Sequence, residues 1–210
     1  MLKLLGKSSS INVRKVLWSG AELGLVFDHE QWGSGAAPTD TPAFRALNPN
    51  AMVPVLVDAG FVLWESNAIC RYLARQHGGA GPALLPAEPR GAALVEQWMD
   101  WQAGELNNSW RYAFMALVRR SPLHTDPAAL AAGVAGWHYH MGLLDAQLAG
   151  TGAYVTGADF TLADIVLGLS VQRWMMTPFA QRPAYPAVHA YYELLSRRPA
   201  FLAHGRNGLP

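Results

Sequence analysis

The sequence predicts a small α/β domain followed by an all-helical domain. Three observations carry this prediction. Strand and helix signals alternate only within the first eighty residues; a Gly/Pro-rich stretch, "GGAGPALLPAEP" (78–89), follows them; beyond it strand signals all but vanish while long helical patterns continue. At 210 residues, 51% apolar and 15% charged, the chain is long enough for two such units with a sizeable core. The expected limits are 1–79 for the α/β domain, 80–89 for a linker and 90–210 for the helical domain.

Each element has its own signal. "LKLLG" (2–6) is a short apolar run ended by glycine, a first strand. Ile11, Val13, Val16, Leu17, Ala21 and Leu23 approximate a helical stripe that Gly24 stops. "LVFDHEQW" (25–32) predicts a second strand, "GSGAAPTDTP" (33–42) a loop, and residues 41–47 a short helix ending at "NPN". "VPVLVDAGFVLW" (53–64) is the clearest hairpin, turning at Asp58-Ala59-Gly60. "ESNAICRYLARQH" (65–77) predicts a helix before Gly78-Gly79, completing a βαβαββα order. Helices are then expected over 90–120, 127–149, 161–174 and from Pro186 to about Arg198, with Thr161 and Asp164 resembling a capping box.

Composition excludes several functions. Net charge is +1 with scattered arginines and no basic stripe, so nucleic-acid binding is not expected. The single cysteine, Cys70, allows no internal disulfide, no CxxC pair and no thiolate zinc cluster, and the seven histidines form no metal motif. No apolar run is long enough for a signal peptide or a membrane span, so the expectation is a soluble cytoplasmic protein.

The serines of "GKSSSINVRK" (6–15) are the first candidates for chemistry. A phosphate loop needs a glycine five residues before Gly6, where Met1 stands, and no GxSxG elbow surrounds the serines. Pro54 is the second: inside an apolar strand it donates no ladder bond and fits a strand start or a cis bond. A cis bond would turn the Val53 N–H and C=O outward, where an extended peptide could pair with them. The third is "ESNAI" (65–69), where helix N–H groups lack partners. Glu65 could face an ammonium while Ser66 holds a carboxylate, which suits an amino-acid-like head group; simple capping explains the same residues.

Taken together, "SSSINVRKVLW", "NPNAMVPVL", "WESNAICRYL" and the late "TLADI" resemble the soluble glutathione transferases over the whole chain, closest to bacterial theta-like and zeta-like members that use serine. The resemblance implies a thioredoxin-like N-terminal domain, an all-α C-terminal domain and a homodimer. Glutathione is then the co-substrate, with no metal, nucleic acid or membrane involved. It implies that Val53 pairs its backbone with the cysteinyl part of glutathione beside a cis Pro54, and that Glu65 and Ser66 hold the γ-glutamyl end. Counting four residues back from Arg14, as in SxxxR members, selects Ser10 as the thiol-contacting serine, with Ser9 next in line and Asn12 sharing the contact. An N-cap role for Ser10 is the simpler alternative.

The implied chemistry needs no protein base. A free thiol of pKa ~8.5 is about 3% thiolate at pH 7. A hydrogen bond to the charged sulfur, worth roughly 1.5–3 kcal/mol, lowers that pKa by about 1–2 units. The sulfur then attacks a small hydrophobic electrophile. Asp100, Asn107, Arg111 and Met115 are spaced to share one helical face. By resemblance that face overlooks the cleft, with Trp110 and residues 175–179 beside it, and Asp100 reaches the partner subunit's glutathione. Aromatic core packing is an equal alternative for each of them. Conjugation is the main reading. A glutathione-dependent isomerase or dehalogenase, a disulfide reductase and a non-catalytic binding protein stay open.

Overall fold

The computed structural model describes residues 1–79 and 83–210. Ala80–Pro82 of the expected linker lie outside the described residues. The first half runs β1 (Leu2–Leu5), α1 (Ile11–Glu22), β2 (Phe27–Glu30), α2 (Pro42–Leu47), β3 (Val55–Asp58), β4 (Phe61–Trp64) and α3 (Ser66–His77). The four strands form one mixed sheet in the order β2-β1-β3-β4, parallel between β1 and β2 and antiparallel elsewhere. This is a thioredoxin-like domain, followed by an all-helical one.

Strand alternation sorts the apolar residues between the two faces. Leu2, Leu4 and Leu56 join the main core, whereas Leu5 and Val55 meet Phe44 of α2 on the opposite face. The β3–β4 turn is Ala59-Gly60, both at positive φ (47° and 90°), a conformation glycine takes without strain. The second strand is shorter than "LVFDHEQW" suggests, because only residues 27–30 pair with β1.

The second half comprises α4 (Pro89–Trp101), a π-helical turn (Gln102–Leu106), α5 (Asn107–Leu117), α6 (Pro127–Thr151), α7 (Leu162–Met176), α8 (Pro186–Leu195) and α9 (Pro199–His204). Two expectations need correction. The long 90–120 helix begins one residue earlier, inside the expected linker, and is interrupted by the π turn, in which the Asn107 N–H bonds to the Gln102 carbonyl five residues back. The last helix stops at Leu195, and Pro199 starts the separate α9, its ring suited to a first helical turn.

Helix α7 is the centre of the molecule, buried from Leu162 through Trp174. Its capping box is present: Asp164 accepts from the Thr161 N–H (2.8 Å) and hydroxyl (3.1 Å). One core joins the two halves. Trp18 of α1 packs on Phe160 and Phe201, and a Cβ on Gly168 of α7 would stand 3.0 Å from the Trp18 ring, so close approach of α1 and α7 requires glycine there. Arg14 locks the C-terminal segment onto α1 by donating to the His204 and Gly205 carbonyls, both at 2.7 Å.

Candidate functional site

The strand register places the candidate residues. Leu5 pairs with Val55, and Val55 with Trp64, so these three form one row across the sheet. The chain therefore leaves β1 toward Ser10, enters β3 from Val53-Pro54 and leaves β4 toward Glu65-Ser66 at the same sheet end. Gly6 opens this end: at φ 153° it lies against Val53 and Val13, where a Cβ would meet a Val13 methyl at 2.5 Å.

Two helix N-termini point their free N–H groups here, and neither is capped by its own side chain. Ser10 occupies the N-cap position of α1 with extended backbone (φ −75°, ψ 126°), yet its hydroxyl makes no capping bond. Glu65 stands at the N-cap of α3 at φ 71° and likewise makes none. Ser66 follows, 6% exposed, and no hydrogen bond among the described residues engages its hydroxyl. Capping therefore accounts for neither residue, and two positive helix ends stay available to anionic groups.

The remaining members surround these ends. Ser9 is exposed and Asn12 half-buried on the first turn of α1; neither side chain bonds within the described residues. The Ser8 N–H donates to Gln31 Oε1 at 3.0 Å, and a His29 ring nitrogen lies 2.7 Å from the Gly6 carbonyl, which fixes the β1–α1 loop. The Val53–Pro54 bond is cis, and no hydrogen bond among the described residues engages the Val53 backbone. Cys70, in the middle of α3, is fully buried, and burial pushes its thiol up to about 11, so it is no nucleophile.

The expected face of Asp100, Asn107, Arg111 and Met115 divides. The π turn between Asp100 and Asn107 breaks the helical phase. Asp100 pairs with Arg71 of α3, its side chain 70% exposed. Asn107 turns inward, its Oδ1 accepting from Gln102 (2.8 Å) and from the Trp110 indole N–H (3.1 Å). Arg111 is exposed and Met115 half-buried on α5, one and two turns beyond Asn107. Trp110 stacks with Phe114 and Trp137, and Phe179 also packs on Trp137, so these rings belong as much to the core as to a cleft.

Sequence reasoning missed a buried amine. Lys15 is 2% exposed and donates to Gln102 Oε1 (2.8 Å) and to Asn67 Oδ1 (3.2 Å), linking α1, the start of α3 and the π turn. Desolvation holds it down to about 8. Its only sequence signal is a lysine interrupting an apolar run. Among the described residues no group of three His, Cys, Asp or Glu could hold a metal ion, and no helix is long and apolar enough to cross a membrane.

Comparison with known proteins completes the description. Residues 9–76 match the family "Glutathione S-transferase, N-terminal domain", and residues 127–194 match "Glutathione S-transferase, C-terminal domain". The chain is 36% identical over 202 residues to glutathione S-transferase GstB of Escherichia coli K12, covering 95% of both proteins. It is 35% identical to glutathione S-transferase 3 of Zea mays, covering 95% of this chain and 91% of that one. Its fold superposes with a TM-score of 0.88 on the theta class glutathione S-transferase of Xanthomonas axonopodis pv. citri with glutathione bound, at 38% identity over 97% of this chain and 96% of that chain.

Proposed function

The chain belongs to the glutathione S-transferase family and is a glutathione transferase, and from that premise we propose how this site does the work. Ser10 donates its hydroxyl to the glutathione sulfur at the positive end of α1 and steadies the thiolate, which attacks a small electrophile. Asn12 assists from the first turn, and Ser9 is the alternative thiol contact one residue away. The Val53 N–H and C=O pair with the cysteinyl backbone. Ser66 and the free N–H groups of α3 hold the γ-glutamyl carboxylate, and Glu65 takes its ammonium. Asn107, Trp110, Arg111 and Met115 border the electrophile. Asp100, on the open side of α4, contacts the partner subunit's glutathione in a homodimer. This is the serine-type, theta-like arrangement in a cytoplasmic enzyme of two domains, residues 1–79 and 90–210.

One observation carries the reading: two uncapped helix N-termini and an unpaired Val53 backbone converge at a single sheet end. An anionic, peptide-like ligand fits such an end, and glutathione is both. The test is glutathione titration followed by conjugation of 1-chloro-2,4-dinitrobenzene by wild type, Ser10→Ala and Ser9→Ala. Wild type binds glutathione at millimolar concentration or below. Ser10→Ala keeps that binding, loses roughly 10- to 100-fold in kcat/KM and shifts the rate's apparent pKa up by about 1–2 units. Ser9→Ala stays within about twofold, as expected of a surface position. Loss on Ser9→Ala instead would move the thiol contact by one residue, and failure to bind glutathione would overturn the reading.

A further inference from the structure

Arg173 stands in the last turn of α7 and is 5% exposed. Its guanidinium lies over two aromatic rings, 4.6 Å from the Trp110 centroid and 4.2 Å from that of Phe114. Among the described residues it has no carboxylate or carbonyl partner, and its Nε is enclosed with nothing to bond. Among the described residues the other buried arginine, Arg14, donates to backbone oxygens of the C-terminal segment, and half-buried Arg198 forks onto Glu22. Arg71 also has an orphan Nε, but its charge is met by Asp100 and Glu96.

The surroundings sharpen the anomaly. The groups whose charges reach Arg173 are Arg14 and Lys15 of α1 and Arg119 just beyond α5, all cationic. Ring faces attract a cation but leave its N–H donors unused. A buried guanidinium without an anion is unfavourable, and its planar fork matches a carboxylate. Arg173 lies over the Trp110 ring, one of the residues that the proposed function puts beside the electrophile.

We propose that Arg173 binds a carboxylate on the electrophilic co-substrate, so that this transferase prefers small electrophiles carrying a carboxylate group over neutral ones. The proposal rests on the glutathione transferase reading of the same site. A suitable probe is 4-(chloromethyl)benzoate. The glutathione thiolate attacks the benzylic carbon, a C–S bond forms, the C–Cl bond breaks and chloride leaves with the electron pair. The thiol proton passes to solvent, and nothing is oxidised or reduced.

The test compares 4-(chloromethyl)benzoate with its methyl ester, which keeps the reacting carbon and removes the charge. Wild type favours the acid by at least about tenfold in kcat/KM, the discrimination expected of a charged hydrogen-bonded pair. Arg173→Met loses that preference through a rise in KM for the acid, with turnover of the ester within about threefold, and Arg173→Lys retains part of it. A separate measurement needs no variant: 4-methylbenzoate, which cannot react, binds saturably to the glutathione complex of wild type in calorimetry. Equal loss on acid and ester in Arg173→Met, or no saturable binding of 4-methylbenzoate, overturns the proposal and leaves Arg173 as a support for the rings. Turnover of 1-chloro-2,4-dinitrobenzene in the same preparations shows that the transferase reading stands even then.

Discussion

Lys15 Nζ donates to Gln102 Oε1 across 2.8 Å, joining the first helix of the α/β domain to the π turn of the helical domain. The same amine bonds to Asn67, the residue after Ser66, and Gln102 in turn donates to Asn107 and to Ser170 of α7. A buried ammonium with amide oxygens for partners thus holds the proposed carboxylate-binding helix end in place. An ammonium held by neutral oxygens in the interior is only partly compensated, which is why it gives up its proton more easily.

That burial has a measurable sign. Lys15 titrates at about 8 in the folded chain against 10.5 when exposed. Between those values the unfolded chain binds the extra proton, so this group makes stability rise as pH climbs from about 8 toward 10.5; below 8 its penalty is full. Lys15→Met removes the titration. The unfolding free energy of the variant relative to wild type should therefore fall by about 2 kcal/mol between pH 7.5 and 9.5, read from urea midpoints. A constant difference across that range would show that Lys15 is not held low.

Much of the α/β half was legible in the sequence because its signals are local. Gly24, the "DAG" turn and the glycines after His77 mark ends directly, and the hairpin register then forces Ser10, Val53 and Ser66 to one sheet end. The role of Lys15 was not legible, since its partners lie 52 and 87 residues away and come from other helices. The π turn was hidden for a related reason. Residues 102–106 carry no proline and only one glycine, and the break shows itself in packing, where Gln102 turns inward to Lys15 and Ser170. Asp100 and Asn107 are spaced for one face, and the inserted turn separated them.

Ser66 tests the second helix end apart from the first. Ser66 is buried at the start of α3, and no hydrogen bond among the described residues engages its hydroxyl. If it holds the γ-glutamyl carboxylate, it contributes to binding equally in the ground and transition states. Ser66→Ala then raises KM for glutathione about tenfold and leaves kcat within about twofold, the signature of lost uniform binding. Ser10→Ala has the opposite split, so a matched pair of saturation curves separates the two roles. Equal falls in kcat for both variants would place Ser66 in thiolate stabilisation instead.

Asp164 tests the pillar on which both domains rest. Its carboxylate accepts from the Val155 N–H (2.9 Å), the Thr161 N–H (2.8 Å) and hydroxyl (3.1 Å), and the Tyr191 hydroxyl (3.0 Å). Asp164→Ala leaves these buried donors without an acceptor and strips the cap of α7, a loss of about 3 kcal/mol at pH 7. For a chain of this size that lowers Tm by roughly 6–12 °C. The deficit should also depend on pH. Burial, the largest influence, raises the carboxyl to about 6 against those four donors, compared with 3.8 when exposed. Between 3.8 and 6 the folded chain binds more protons than the unfolded one, so wild type gains stability from Asp164 as pH falls through that window. The Asp164→Ala deficit is therefore larger at pH 5 than at pH 7, by about 1 kcal/mol, in urea denaturation at the two pH values. A smaller deficit at pH 5 would mean that the four donors outweigh burial and hold the carboxyl below its exposed value.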